Sequence, residues 1–261
     1  MHKILKYEES RNPYVMGATL LPMRDYPGRG LHGEVVRLLG LRIVRGDHKP
    51  GDIIDIEALE TEFGVSKTVM REALRVLGAK GLVDSRPRRG TFVRERAAWD
   101  LLDSDLMMWR REAQRDDDRL LADLSELRDA IEPAAARLAA IRHTSEDLSA
   151  LRSAFEAFAA AGSSVGPLAA ADLDFHKLLL AATHNELFAR LDVVVTHALS
   201  ARNRIQHHPQ ARWMDPVPDH EAVLDAVAAR DPDGAERAMR HALRESDEDL
   251  RSGEPPFDNR P

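Results

Sequence analysis

The stretch from Leu59 to Val93, LETEFGVSKTVMREALRVLGAKGLVDSRPRRGTFV, narrows what this chain can fold into more than any other. Asp55 stands where it can cap a helix over Ile56–Phe63, and Gly64 supplies a turn. Ser66 can cap a second helix from Lys67 to about Ala79, which Gly81 then ends. In that second helix, three-and-four spacing gathers Val69, Ala73, Val76 and Leu77 on one face and Lys67, Thr68, Arg71 and Arg75 on the other. Leu82 to Ser85 and Thr91 to Val93 have strand-forming residues, and the turn between them carries Arg86, Arg88 and Arg89 before Gly90. A helix, a turn, a cationic helix and a basic hairpin in that order predict a winged helix-turn-helix, a shape that fits a DNA major groove.

Charge supports that reading. Residues 64–96 hold nine Lys and Arg against three acids, whereas residues 97–261 hold nineteen against thirty-one, and the whole chain carries −7. Positive charge confined to one segment of an acidic chain points to an anionic partner for that segment alone. Double-stranded DNA is the expected partner. Phosphates would supply most of the affinity, in a salt-sensitive way, and side chains near the start of the second helix would discriminate bases. The candidate DNA-binding residues are Lys67, Thr68, Arg71, Arg75, Arg88, Arg89 and Gly90.

A chain of 261 residues with 43 % hydrophobic content can bury two modest cores. It has no cysteine, so disulfides and thiolate metal sites are excluded and any metal must be held by His, Asp or Glu. No apolar run approaches the roughly 20 residues needed to span a bilayer, and the first residues lack the apolar core of a secretory signal. A cytoplasmic protein without a membrane partner is expected. Residues 1–29 and 252–261 are unpatterned and expected to be flexible. Between them the sequence divides into a DNA-binding domain over 30–96, a linker with a connecting helix over 97–118, and a helical domain over 119–251.

From Trp99 onward Ala, Leu, Arg and Glu dominate and apolar residues recur every three or four positions, which predicts an all-α bundle behind the hairpin and a mainly α fold overall. The expected helices are Leu101–Glu112, Arg119–Ile141 with a kink or break near Ala130 caused by Pro133, Ser145–Ala161, Pro167–Ala182, Glu186–Arg204, Asp219–Arg230 and Pro232–Asp249. Asp172 and His176 are four apart, so a helix places both on one face. If Arg230-Asp231-Pro232 turns an antiparallel helix pair, His220 and His241 stand at similar height on neighbouring helices. Three imidazoles and a carboxylate suit zinc or another first-row divalent metal. His184, His197, His207 and His208 have no comparable arrangement and read as ordinary polar or capping residues, with His197 the one closest to intruding. Asp174 points away from Asp172.

The segment GVSKTVMREALRVLGAKGLVDSRPRRGTFV closely resembles the DNA-binding domain of GntR-type transcription regulators. The helical half is similar to the ligand-sensing FCD domain of their FadR subfamily, through LRDAIEPAAARLAA, DLDFH and HEAVLDAVAARDPDGAERAMRHAL. The run LDSDLMMW resembles the linker of galactonate-type sugar-acid repressors in that subfamily. In the family the matching aspartate and three histidines bind a divalent metal, so the resemblance implies Asp172, His176, His220 and His241 as ligands, with zinc favoured over nickel or manganese. It also implies a small carboxylate effector beside the metal, held by Arg128, with Arg202 a second candidate. An arginine fork and a cation with an open position together orient a carboxylate. Two departures stand out: Lys67 replaces the common recognition arginine, losing bidentate guanine contact, and Val69 stands where proline is frequent.

The expectation is therefore a homodimeric, metabolite-responsive regulator, usually a repressor, whose two wings read paired half-sites and lose their spacing when effector binds. A competing reading makes the Asp/His cluster a hydrolytic centre activating water, with the basic domain as accessory. No acid stands out as its general base beyond Asp174 and Glu221, which are poorly placed. A nucleoid or RNA-binding protein would leave the histidine geometry unexplained.

Overall fold

The computed structural model describes residues 30–113, 118–162, 164–205 and 216–252, and for residues 118, 165, 201–205 and 248–252 it gives the course of the backbone only. The N-terminal extension, the tail beyond Ser252, and His207 and His208, for which the sequence carries expectations, lie outside the described residues. The chain divides into two compact units between residues 117 and 118.

The first unit comprises α1 (Leu31–Arg45), α2 (Ile56–Phe63), α3 (Lys67–Ala79), β1 (Val83–Arg86), β2 (Gly90–Val93) and α4 (Ser104–Ala113), with a short 3₁₀ turn over Arg96–Ala98. The expected caps are in place: Asp55 Oδ1 accepts from the Ala58 N–H at 3.0 Å, and Ser66 Oγ accepts from the Val69 N–H at 3.4 Å. Gly64 takes the left-handed conformation, φ 63°, that lets α2 turn directly into α3. The inward face of α3 is rotated slightly from the one expected. Met70, Ala73, Leu74 and Leu77 are buried, while Val69 and Val76 sit at its margin.

The hairpin pairs antiparallel, with Val83 opposite Val93 and Arg86 opposite Gly90. Its tip is a turn in which the Arg89 N–H donates to Arg86 O at 3.2 Å, with Pro87 second and Arg88 third at φ 65°. That is the signature of a type II turn, with arginine in the place where glycine is usual. A bridge between Ile53 and Phe92 braces the outer edge.

The linker expected over residues 97–118 is not slack where it is described. The Asp100 N–H donates to Lys80 O at 3.0 Å, and α4 packs on α1, burying Leu106 and Trp109 in one core with Val36, Leu39, Met70 and Leu77. Lys80 closes the join: its ammonium donates to Asp105 Oδ2 at 2.6 Å and Asp103 Oδ2 at 2.8 Å.

The second unit is all helical: α5 (Asp118–Arg142), α6 (Ser145–Ala161), α7 (Val165–Ala181), α8 (Glu186–Arg190), α9 (Asp192–Ile205), α10 (Val217–Ala228) and α11 (Pro232–Ser252). α5 lies along α11 and touches α7, α9 and α10, while α6 pairs with α7 and α10 with α11. Alanines 136, 139, 140 and 235 at the contacts let these helices approach closely around Phe175, Leu179, Val223, Val227 and Met239. Two expectations are corrected. The break near Ala130 does not occur: α5 runs unbroken through Pro133, whose lost hydrogen bond is one among many in a 25-residue helix packed along its length. The single helix expected over Glu186–Arg204 is two, α8 and α9, parted at Leu191.

Candidate DNA-reading face and metal centre

In the first unit Lys67, Thr68, Arg71 and Arg75 are all exposed on the outer face of α3, and Arg88, Arg89 and Gly90 are exposed at the wing tip. The groove between them is lined by Arg71, Arg75, Arg86, Gly90 and Arg94. Two of these cations are already oriented. Arg75 Nε donates to Glu72 at 2.9 Å, and the Arg89 guanidinium lies 3.7 Å from the centroid of Phe92, which holds a flexible side chain flat against the wing. Arg86, 5.5 Å from the same ring centroid, pairs with Asp84 at 3.1 Å.

In the second unit α7 presents Asp172 and His176 one turn apart, and α10 brings His220 to meet them, so that one donor atom from each lies within 4.8 Å of the other two. Phe175 and Leu179 anchor one helix, and Val223, Leu224 and Val227 the other. Asp172 Oδ1 stands 3.0 Å from His220 Nε2 and 3.3 Å from His176 Nε2. Both rings are held from behind. The His220 Nδ1–H donates to Pro216 O at 2.9 Å, and Glu132 Oε2 stands 2.5 Å from His176 Nδ1. Both rings thus turn the Nε2 edge toward the same aspartate oxygen. A proton or a cation must lie between those nitrogens and the carboxylate, and a divalent ion that displaces the protons would have three protein ligands there. Phe158 covers His220 at a centroid distance of 4.3 Å.

Glu132 is the functional candidate that reading the sequence missed. It is 1 % exposed and spans two partners: Oε1 accepts from Arg128 Nε at 2.5 Å while Oε2 faces His176. Burial alone would raise its carboxyl, but the charges of Arg128 and His176 outweigh that and hold it at about 2. Burial likewise works against the His176 cation, and the Glu132 charge with the Asp172 hydrogen bond overcomes it, lifting the imidazole to about 9. Asp172 lies well below the usual range because hydrogen bonds from both imidazoles exceed its burial cost. The sequence signal for Glu132 was available. Arg128 and Glu132, four apart, interrupt an otherwise apolar stripe through Leu124, Ala135 and Ala139, and charge at core-facing positions requires a buried partner. Arg128 is accordingly a buried member of this cluster. Arg202 lies in α9, and its side chain is outside the described residues.

His241 does not join the cluster. It is 54 % exposed, 3.6 Å from Asp219 and 3.7 Å from Glu245. The height argument from the antiparallel pair left out the angle around the helix. α11 buries Ala235, Met239, Leu243 and Ser246, and residue 241 lies two positions from Met239 and from Leu243, about 200° away from that face. His184 is exposed and meets Asp147 Oδ2 at 2.7 Å, and His197 is fully buried on α9, outside the three-residue group. Asp174 is exposed, as its helical position required.

Residues 31–93 match the model of the bacterial regulatory proteins of the gntR family, and residues 123–245 match the FCD domain. The chain is 35 % identical over 207 residues to the galactonate operon transcriptional repressor of Escherichia coli K12, covering 78 % of this chain and 90 % of that one. The chain belongs to the GntR family. Other GntR relatives include the transcriptional regulator LutR of Bacillus subtilis, 30 % identical over 76 % of this chain and 90 % of its own, and a putative L-lactate dehydrogenase operon regulatory protein of E. coli K12, 32 % identical over 69 % and 70 %. Among solved structures the Listeria monocytogenes regulator Lar matches with a TM-score of 0.58 at 18 % identity, over 86 % of this chain and 98 % of that one, which supports the fold. As a GntR regulator with an FCD domain the chain is a metabolite-responsive, DNA-binding transcription factor, and the hydrolase reading falls, since the family and the relatives are regulators and not enzymes. Among the described residues no helix is long and apolar enough to cross a membrane.

Proposed function

We propose that this GntR regulator is a cytoplasmic homodimeric repressor that binds operator DNA through Lys67, Thr68, Arg71, Arg75, Arg88, Arg89 and Gly90, and releases it when a small carboxylate enters the helical domain. The helical domain takes up a divalent first-row metal, with zinc the leading candidate, on Asp172, His176 and His220, and Arg128 draws the effector's carboxylate. The observation that carries this reading is the convergence of two imidazole Nε2 atoms and one carboxylate beside a buried arginine, an arrangement that invites a cation and an anion together. The bound metal would supply an open coordination position to the carboxylate. The names of two relatives, a galactonate repressor and a lactate-operon regulator, favour a sugar acid or hydroxy acid as effector.

The test combines metal analysis of the purified protein, a thermal-shift screen of sugar acids, hydroxy acids and dicarboxylates, and a gel shift on the DNA upstream of its own gene. One carboxylate should raise the melting temperature, release the DNA, and lose both effects in Arg128→Ala and His176→Ala. A protein that holds no metal and prefers no duplex over random competitor would overturn the proposal. Linkage requires reciprocity, so operator must weaken effector binding by the factor by which effector weakens operator binding.

A further inference from the structure

We propose that Glu132 is the positioning residue of the centre, the group that aims His176 at the cation and ties that imidazole to Arg128. The inference rests on the metal reading above and goes beyond it. Among the described residues Asp172 meets the Nε2 edge of His176, and Glu132 is the charged group placed at its Nδ1. His220 has its Nδ1–H held by a backbone carbonyl at the start of its own helix, a support that travels with α10. The support for His176 comes instead from α5, a different helix, through a carboxylate whose second oxygen is occupied by Arg128. One carboxylate thus contacts both the histidine that a cation would recruit and the guanidinium that an anion would recruit. The Nδ1–Oε2 contact is short but not aligned as a straight hydrogen bond, so the ring has room to settle as its Nε2 takes up a cation.

Opposite signs at the two ends of the pair separate this role from simple packing. E132Q leaves one acceptor oxygen, which Arg128 claims, and turns an NH₂ toward His176, whereas removing the positive charge from Arg128 leaves the carboxylate acceptor in place and makes the cluster more negative. The experiment is zinc binding to the full-length protein by chelator competition. E132Q should bind zinc about 10- to 100-fold more weakly, the range found when a partner behind a metal-bound histidine is removed. E132D should recover much of that loss, and R128Q should bind zinc as tightly as the parent or more tightly. If E132Q is too unstable with an uncompensated Arg128, the doubly neutral R128Q/E132Q keeps the core free of net charge and should show the same weakening. Zinc affinity in E132Q within twofold of the parent, or parallel weakening in E132Q and R128Q, would overturn the inference while leaving the metal reading intact. A parent protein that binds no zinc would overturn both.

Discussion

The indole of Trp109 fills the space that a side chain on residue 40 would need. A Cβ built on Gly40 would stand 2.4 Å from Trp109 Cζ3 and 2.7 Å from Cε3, so α1 and α4 are packed through a notch that only glycine leaves open. Gly40→Ala should therefore destabilise the first unit by about 1–3 kcal/mol, the usual cost of overfilling a tight core, despite the better helix propensity of alanine. Thermal unfolding would show the loss, and an unchanged melting temperature would mean that α4 does not rest on α1 as described.

Lys80 gives a prediction with a pH sign. Burial disfavours its ammonium, but hydrogen bonds to Asp103 and Asp105 exceed that effect and its pKa is raised. A group bound more tightly in its protonated form when folded contributes in full below the unfolded value and loses that contribution as pH rises through the higher folded value. Above that value the parent should lose stability that Lys80→Met, with no ammonium to titrate, does not lose, so the gap between the two should narrow. At neutral pH the same substitution should cost about 3 kcal/mol or more, because it leaves the largely buried Asp105 without its counter-charge. Denaturant melts at pH 7 and at several values above the ordinary lysine value of 10.5 would test both parts.

Arg71→Ala and Arg89→Ala should fail differently. Arg71 projects from the reading helix, so its loss should cost about 1–3 kcal/mol of operator affinity and relax base preference. Arg89 lies on the wing, flat against Phe92, and its loss should weaken binding evenly across sequences and lower the salt slope by about one. Binding isotherms at several salt concentrations on matched and scrambled duplexes separate the two. A uniform effect from Arg71 would remove it from base readout.

Substituting the histidines one at a time should divide them into two groups. His176→Ala and His220→Ala should each abolish stoichiometric zinc, whereas His241→Ala should leave the metal content unchanged because residue 241 faces solvent. Metal content after dialysis against low zinc is the measurement. Loss of metal in His241→Ala would mean that α11 turns to present residue 241 when the ion binds.

Much of the fold was legible because its signals were local. Asp55, Gly64 and Ser66 mark turns and caps that need no tertiary information, and α2 and α3 begin and end where those residues place them. The Asp172–His176 pair was legible for the same reason, being fixed by one helical turn. His241 was misread because two helices can agree in height and disagree in angle, and only the apolar pattern Ala235, Met239, Leu243 records the angle. Pro133 was overweighted, since the break it threatens depends on what packs beside α5. Glu132 is harder to read from sequence than Arg128, because its role depends on two charges on one buried stripe answering each other.

The Lys80 ammonium, sealed against Asp103 and Asp105, sets a lower limit on how far the DNA-binding piece can be trimmed. A fragment ending at Arg96 would keep the whole reading surface yet strand a lysine that has lost both anions, and it would bare the groove on α1 that Trp109 fills. The shortest autonomous fragment should therefore run to Ala113, some twenty residues past the last strand of the wing.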